Sequence, residues 1–180
     1  VNIEGVEIDE KITDLAFTYF ELPEDVKVTT YDGRAYLNAI SQKYDVIMVD
    51  AYQDITIPFQ MSSVEFFTLV REHLTENGVM VVNMNMRSQK EGNINQYLAD
   101  TISSVFSDVY TVEVEHSTNR ELFASNNSGM MEKFADNLDS EKDLGLLSMM
   151  NRLRSKLVKY EPGEYRMTDD KAPVELLGMQ

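Results

Sequence analysis

Three carboxylates in the first fifty residues each lie at or just beyond the end of an apolar, strand-like stretch of the chain. They are Glu7, within Val6-Glu7-Ile8-Asp9, Asp32, after residues 26–30, and Asp50, after residues 44–49. Open α/β sheets bind ligands outside the carboxyl ends of their strands, and an acid ending the second strand is well placed to accept hydrogen bonds from ribose hydroxyls. An acid in this position can instead be the N-cap of the next helix. We prefer that explanation for Asp9, whereas Glu7, Asp32 and Asp50 together predict a ligand site.

The elements that would position these acids alternate between strand-like and helix-like segments, which predicts an α/β fold. We expect strands over residues 1–8, 26–30, 44–49 and 79–84 in one largely parallel sheet, and helices over residues 10–20, 34–41 and 94–105. The continuous apolar run at 44–49 is typical of a parallel strand covered on both faces. Residues 109–114 and 120–125 predict an antiparallel hairpin.

Two further helices are indicated by their boundary residues. Ser62 and Glu65 have the capping-box spacing, and Asn77-Gly78 predicts a turn that ends this unit. Residues 126–139 show no clear element. Ser140 and Asp143 then mark the start of a helix that Pro162-Gly163 would end. Its apolar stripe is interpreted as core or as the seam of a homodimer, and consists of Leu146, Met150, Leu153 and Leu157.

Composition narrows the classes of protein to consider. The 180 residues are most economically one domain, and the net charge of −15 argues against nucleic-acid binding, which needs a basic face. No apolar run approaches the ~20 residues of a membrane-spanning helix and no signal-peptide pattern opens the chain, so a cytoplasmic location is the default expectation. Cysteine is absent, which excludes thiolate catalysis, and the two separated histidines predict no metal site.

Several segments together resemble the nucleoside-binding and catalytic segments of spermidine synthases, and in particular the spermidine synthase-like proteins of bacteria. The resemblance covers most of residues 1–86 and returns at 168–175. Its segments are Val6-Glu7-Ile8-Asp9, Asp32-Gly33-Arg34, Tyr44 to Tyr52, Ile57-Pro58-Phe59, Glu65-Phe66-Phe67, Asn77-Gly78-Val79, Thr168-Asp169-Asp170 and Ala172-Pro173-Val174-Glu175.

The resemblance implies a Rossmann-like three-layer sandwich of the methyltransferase and spermidine synthase type, with a mostly parallel sheet and a C-terminal antiparallel hairpin. It also implies that residues 1–180 form a single nucleoside-binding domain whose first strand and glycine-rich loop lie upstream. The sequence agrees with this to the extent that it contains no G-x-G-x-x-G motif.

The resemblance assigns roles to the candidate residues. Glu7 would hold the ribose hydroxyls of decarboxylated S-adenosylmethionine or S-adenosylmethionine, Asp32 would accept the adenine amino group, and Gly33 would let the backbone approach the ring. Asp50 would be catalytic. The product of the decarboxylated cofactor would be methylthioadenosine, and no metal is implied.

The acceptor side of the site departs from authentic spermidine synthases. Their catalytic aspartate opens an Asp-Ser-Ser/Thr-Asp-Pro segment, whereas this chain has Asp50-Ala51-Tyr52-Gln53-Asp54, with the second acid displaced by one position. By position, Tyr52 and Asp54 are the candidates to bind a polyamine such as putrescine.

Three functions follow as alternatives. The leading one is transfer of an aminopropyl group to a polyamine. The others are an S-adenosylmethionine-dependent methyltransferase, because one fold serves both chemistries, and a non-catalytic nucleoside-binding or regulatory domain.

Overall fold

The computed structural model describes residues 1–51, 57–85, 90–174 and 177. The chain divides into two compact units, Val1–Gln42 and Lys43–Gln180. The assignment of residues 1–180 to a single domain stays a prediction. None of the helices in the part of the chain that the structure describes has the length and apolar composition of a membrane span.

The first unit is a pair of parallel strands with a helix after each. Its elements are β1 (Glu4–Glu7), α1 (Glu10–Tyr19), β2 (Lys27–Thr30) and α2 (Gly33–Ala39). The strands pair in register from Glu4 opposite Lys27 to Glu7 opposite Thr30. The side chain of Asp9 accepts a hydrogen bond from the Lys11 amide at 2.9 Å, which confirms Asp9 as the N-cap of α1.

The second unit contains a five-stranded mixed sheet in the order β3-β4-β6-β5-β7. Its elements are β3 (Tyr44–Val49), a 3₁₀ turn (Phe59–Met61), α3 (Val64–Glu72), β4 (Leu74–Asn85), α4 (Ile94–Ser103), β5 (Asp108–Glu113), β6 (Asn119–Ser125), α5 (Met130–Ser140), α6 (Leu144–Arg154) and β7 (Val158–Lys159). The β3–β4 pair is parallel, and the pairs β4–β6, β5–β6 and β5–β7 are antiparallel.

This topology confirms the α/β class and the hairpin, and it corrects the prediction of one sheet. The four predicted strands belong to two sheets in the described structure, not to one. The prediction of a mostly parallel sheet is matched in part. The β1–β2 and β3–β4 pairs are parallel, whereas the β5–β6 hairpin inserts β6 beside β4, reverses the strand direction there and makes the larger sheet mixed.

The core of the second unit lies between one face of the sheet and helices α3 and α4. Side chains that are at most 2 % exposed come from both layers: Phe66, Phe67, Val70, Leu98, Ile102, Met80, Val82, Met84, Leu122 and Ala124. Alternate residues of β4 and β6 supply the sheet side of this core, as the two-residue period of a strand requires.

The prediction that β3 is covered on both faces is wrong for the described structure. Val46 is 55 % exposed and Met48 is 75 % exposed, whereas Val49 is buried at 5 %. A continuous apolar run therefore did not distinguish a strand buried on both faces from one with an open face.

The boundaries of α3 differ from those predicted at both ends. Ser63, not Ser62, is the N-cap, and its hydroxyl accepts from the Phe66 amide at 3.2 Å. The helix ends at Glu72, and Asn77-Gly78 lies inside β4.

The last third of the chain also differs. Residues 126–139, for which no element was predicted, contain most of α5. Helix α6 ends at Arg154, well before Pro162-Gly163, and β7 lies between them. No residue of α6 is buried, so the interpretation of its stripe as core is wrong, and its role as a dimer seam stays a prediction.

The C-terminal segment, residues 160–171, is held to α4 by a buried carboxylate. Asp100 is 0 % exposed. Its Oδ1 accepts from the Tyr160 hydroxyl at 2.7 Å and the Gly163 amide at 2.8 Å, and its Oδ2 accepts from the Tyr165 amide at 3.1 Å. These three bonds satisfy a charge that would otherwise be costly to bury.

The same segment reaches the start of α3. The Val64 amide donates to the Met167 carbonyl at 2.9 Å, and the Ser63 hydroxyl donates to Asp169 Oδ1 at 2.6 Å. The Asp169 amide donates to Glu65 Oε2 at 3.0 Å. The Thr168-Asp169-Asp170 motif therefore makes contacts that join the C-terminal segment to α3.

Candidate active site

The end of β3 carries Asp50 next to a polar side chain of β4. Val49 pairs with Val82, so Asp50 comes level with Asn83, whose Nδ2 donates to Asp50 Oδ1 at 3.2 Å. Asn83 pairs in turn with Glu121 of the antiparallel strand β6. Directly paired residues project to the same face of a sheet. Asp50, Asn83 and Glu121 therefore form one line across three strands, called here the polar row.

The charge of Asp50 acts on Glu121, the other carboxylate of the polar row. Burial raises the pKa of Glu121 above its ordinary value, and the negative charge of Asp50 raises it further. Both effects disfavour the ionised form of Glu121. A cation bound between the two carboxylates would oppose both effects and favour the ionised form.

An apolar row lies next to the polar row on the same face. Met48 pairs with Val81, and Val81 pairs with Phe123, each two residues from the corresponding member of the polar row. Met48 is 75 % exposed, so this part of the face is open in the described structure. This face of the sheet therefore has two carboxylates and an amide in the polar row, with the apolar row beside them.

In the first unit, Glu7 and Asp32 lie at the same end of neighbouring strands. Glu7 ends β1 opposite Thr30, the last residue of β2, and Asp32 follows two residues later. Glu7 Oε1 accepts from the Asp9 amide at 2.9 Å, and Asp32 Oδ1 accepts from the Ala35 amide at 2.8 Å as the N-cap of α2. Because a carboxylate has about four acceptor positions, each can hold a ligand donor in addition to its backbone partner.

The N-cap and ligand interpretations of Asp32 are therefore compatible. Gly33 is the first residue of α2, directly after the cap, and has no side chain to keep a planar ring from the backbone. Glu7, Asp32 and Gly33 share the carboxyl edge of the two-stranded sheet, and Asp50 belongs to the second unit.

Two predicted site residues, Tyr52 and Asp54, lie outside the described residues. Among the side chains that the structure describes, no group of three His, Asp or Glu is placed to hold a metal ion.

Sequence reasoning missed Asn83 and Glu121. A weak signal exists in β6, Asn119–Ser125, where Glu121 occupies the face opposite the buried Leu122 and Ala124. Its relation to Asp50 depends on strand order and register, which are non-local.

Comparison with solved structures identifies the class of fold. Human methyltransferase-like protein 13, solved with SAH, superposes with a TM-score of 0.64 at 22 % identity, over 85 % of this chain and 69 % of that one. A spermidine synthase solved with the transition state analogue AdoDATO gives a TM-score of 0.65 at 18 % identity, over 86 % of this chain and 61 % of that one. The fold is therefore the Rossmann-like fold that methyltransferases and spermidine synthases share.

The sequence comparisons identify the family within that class. The family model described as "Spermine/spermidine synthase domain" matches residues 2–125, and the chain belongs to that family. A "Probable polyamine aminopropyl transferase" of Bifidobacterium longum (strain NCC 2705) is 55 % identical over an alignment of 196 positions, covering 99 % of this chain and 44 % of that protein. The chain thus spans less than half the length of this relative.

Proposed function

We propose that this chain is part of an aminopropyltransferase that moves the aminopropyl group of decarboxylated S-adenosylmethionine to a polyamine. The proposal rests on the 55 % identity to a relative described as a probable polyamine aminopropyl transferase, over 99 % of this chain. The position of Asp50 at a strand end, with a second polar strand residue beside it, supports it.

The proposed reaction forms one bond and breaks one. The lone pair of a neutral acceptor amine attacks the propyl carbon next to the sulfonium. The carbon–sulfur bond breaks, its electron pair stays on sulfur, and methylthioadenosine leaves as a neutral thioether. The acceptor nitrogen becomes positively charged, while the proton it lost before attack goes to solvent or to a nearby base.

Asp50 would orient the ammonium form of the acceptor, help to remove its proton and stabilise the positive charge that develops on nitrogen. A free carboxylate is a weak base toward an alkylammonium, so orientation and electrostatic stabilisation carry more of the effect than basicity. The hydrogen bond from Asn83 to Oδ1 restricts the Asp50 carboxylate and leaves acceptor positions on both oxygens.

Glu7, Asp32 and Gly33 are proposed to bind the nucleoside of the cofactor. The carboxylate of Glu7 suits the two donors of a ribose diol, and that of Asp32 suits the adenine amino group. Their place at one edge of two paired strands fits a nucleoside, whose ribose and base are covalently joined. Tyr52 and Asp54 are proposed to contact the polyamine, with putrescine as the acceptor to test first.

The test is turnover by the full-length protein with decarboxylated S-adenosylmethionine and putrescine, with methylthioadenosine and the aminopropylated amine measured by mass spectrometry. Asp50→Asn should lower kcat about 10²-fold or more, because it removes a positioned acid–base group. Affinity for methylthioadenosine should change little, whereas Glu7→Gln should weaken it.

Asp45→Asn is the matched control, because Asp45 lies on the same strand and accepts a hydrogen bond from Thr75 at 3.0 Å. It should leave kcat within about twofold. Turnover by Asp50→Asn equal to that of the control would remove Asp50 from catalysis.

A parallel assay with S-adenosylmethionine addresses the methyltransferase alternative, which the shared fold keeps open. Methyl transfer without aminopropyl transfer would overturn the proposed function. Tight nucleoside binding with neither activity would favour a binding domain.

A further inference from the structure

We propose that Glu121 is a second carboxylate of the acceptor site, which binds the distal ammonium of an acceptor with two or more amino groups. This inference rests on the proposed function and assigns a further residue to the same site. It follows from the position of Glu121 relative to Asp50 and from the surface between them.

The register places the two carboxylates at opposite ends of the polar row. Asp50 directly follows β3, Asn83 lies on β4 and Glu121 on β6, so two strand spacings separate the acids. Neighbouring strands are ~4.8 Å apart, which places the two backbones about 10 Å from each other. Their side chains shorten the gap, so one short diamine can reach both.

The surface between the carboxylates suits such a molecule. Asn83 supplies a polar group in the middle, and the apolar row of Met48, Val81 and Phe123 lies alongside. Methylene groups of a diamine can contact the apolar row while the two ammonium groups remain at the ends. A monoamine has no group for the second carboxylate.

Electrostatics support the same assignment. Glu121 is partly buried, and the pKa of its carboxyl is raised first by that burial and then by the charge of Asp50. A dication neutralises both carboxylates, so binding relieves an unfavourable interaction that is present in the free protein. A monoamine places its single positive charge at Asp50 and leaves the negative charge of Glu121 uncompensated.

The neighbouring charged residues of the hairpin do not belong to this arrangement. Arg120 pairs with Glu113 across the β5–β6 ladder, and its Nη2 lies 2.6 Å from Glu113 Oε1. Residues adjacent on a strand project to opposite faces, so this ion pair lies on the face away from Glu121. Glu113→Gln therefore changes the same charge on the same hairpin, and serves as the control.

The experiment compares 1,4-diaminobutane with butylamine, which has the same carbon chain and one amino group. In the full-length protein with saturating decarboxylated S-adenosylmethionine, Glu121→Gln should raise KM for the diamine about 10- to 100-fold, the range expected for one charge-assisted hydrogen bond. Its kcat should stay within about threefold. KM for butylamine should not change, and Glu113→Gln should alter neither amine.

Calorimetry separates this inference from the proposed function. Binding of each amine is measured to the full-length protein saturated with methylthioadenosine. Weaker diamine binding by Glu121→Gln, with butylamine unaffected, supports the role of Glu121 even if the unmodified protein shows no turnover, in which case only the proposed function fails.

Three results would overturn the inference. They are equal effects of Glu121→Gln on both amines, no effect on the diamine, and no binding of the diamine by the unmodified protein. Glu121→Asp keeps the charge on a shorter side chain, so its KM for the diamine should lie between those of the unmodified protein and Glu121→Gln. Circular dichroism and the thermal midpoint confirm that each variant is folded.

Discussion

Replacement of the buried Asp100 should destabilise the second unit by detaching the C-terminal segment. Asp100→Ala leaves the Tyr160 hydroxyl and the amides of Gly163 and Tyr165 without their acceptor. A hydrogen bond to a charged group contributes about 1.5–3 kcal/mol, and three such bonds set an upper limit of roughly 4.5–9 kcal/mol. Gly163 is exposed, so water can replace part of the lost hydrogen bonding once the C-terminal segment detaches. We therefore expect the free energy of unfolding to fall by about 3–4 kcal/mol.

Asp100→Asn should lower the free energy of unfolding by about half as much as Asp100→Ala, because an amide retains only one acceptor oxygen. With that oxygen in the Oδ1 position, the bonds from Tyr160 and Gly163 persist, and the amide nitrogen faces the Tyr165 N–H group. In the flipped orientation only the Tyr165 bond persists. Either way at least one backbone or hydroxyl donor loses its partner.

The free energy of unfolding is measured by urea denaturation of the full-length protein, followed by circular dichroism. Amide hydrogen exchange gives a local measurement, since a loss of 3 kcal/mol corresponds to roughly 10²-fold faster exchange at Gly163 and Tyr165. Asp139→Ala, at an exposed position of α5, is the control and should cost under about 0.5 kcal/mol. A loss below about 1 kcal/mol for Asp100→Ala, with unchanged exchange at both amides, would refute the reasoning.

Three further predictions concern the same attachments. Gly163→Ala should lower the free energy of unfolding by about 1–3 kcal/mol, because a Cβ there would clash with the Asp100 carboxylate. In an Asp100→Ala background this cost should shrink, which a double-mutant cycle by urea denaturation checks. Burial and the hydrogen bond to Asp100 raise the pKa of Tyr160, so the neutral phenol should stabilise the fold up to pH ~10 and this contribution should be lost at higher pH. The free energy of unfolding should then fall by less than ~1.4 kcal/mol per pH unit, because the phenol is only half-buried. Tyr160→Phe should remove that alkaline loss, and stability curves that remain parallel above pH ~10 would contradict the assignment. Ser63→Ala removes both the α3 cap and the bond to Asp169 and should cost about 1–2 kcal/mol, measured as a shift in the urea midpoint.

The sequence predicted those elements whose signals are local. The strand at 44–49, the β5–β6 hairpin and the Asp9 cap of α1 each depend on a few adjacent residues and are confirmed. Helix α5 also had a usable signal, because Met130, Phe134 and Leu138 recur every four residues, but only Leu138 is buried and the polar remainder obscured the pattern.

The Asn77-Gly78 turn shows where local signals failed. Tyr44 pairs with Leu74 and Val46 with Val79, so β4 advances five residues while β3 advances two. The turn residues are therefore accommodated as an irregularity within one strand. Pairing with β3, a contact distant in sequence, decided the outcome, and the local turn preference did not.

The candidate site likewise contains residues with a local sequence signal and residues that only strand pairing brings together. Asp50, Glu7 and Asp32 could be selected because each lies at or just beyond the end of its own strand in the sequence. Asn83 and Glu121 join Asp50 only through the order β3-β4-β6 and its register, and no pattern within β6 specifies which strand lies beside it. Mixed sheets place functional neighbours far apart in the chain.

The attachments of the C-terminal segment also govern when the second unit can fold during synthesis. Asp100 and Tyr160 are 60 residues apart, and Ser63 and Asp169 are 106 apart. The ribosome makes α3 and α4 long before the donors and acceptors that complete them exist. Until then, packing α4 in its final place would bury the Asp100 charge without its three hydrogen-bond donors, which is strongly unfavourable. The emerging chain should therefore hold this helix loosely, and the unit should reach its stable form only after residue 169 has been added.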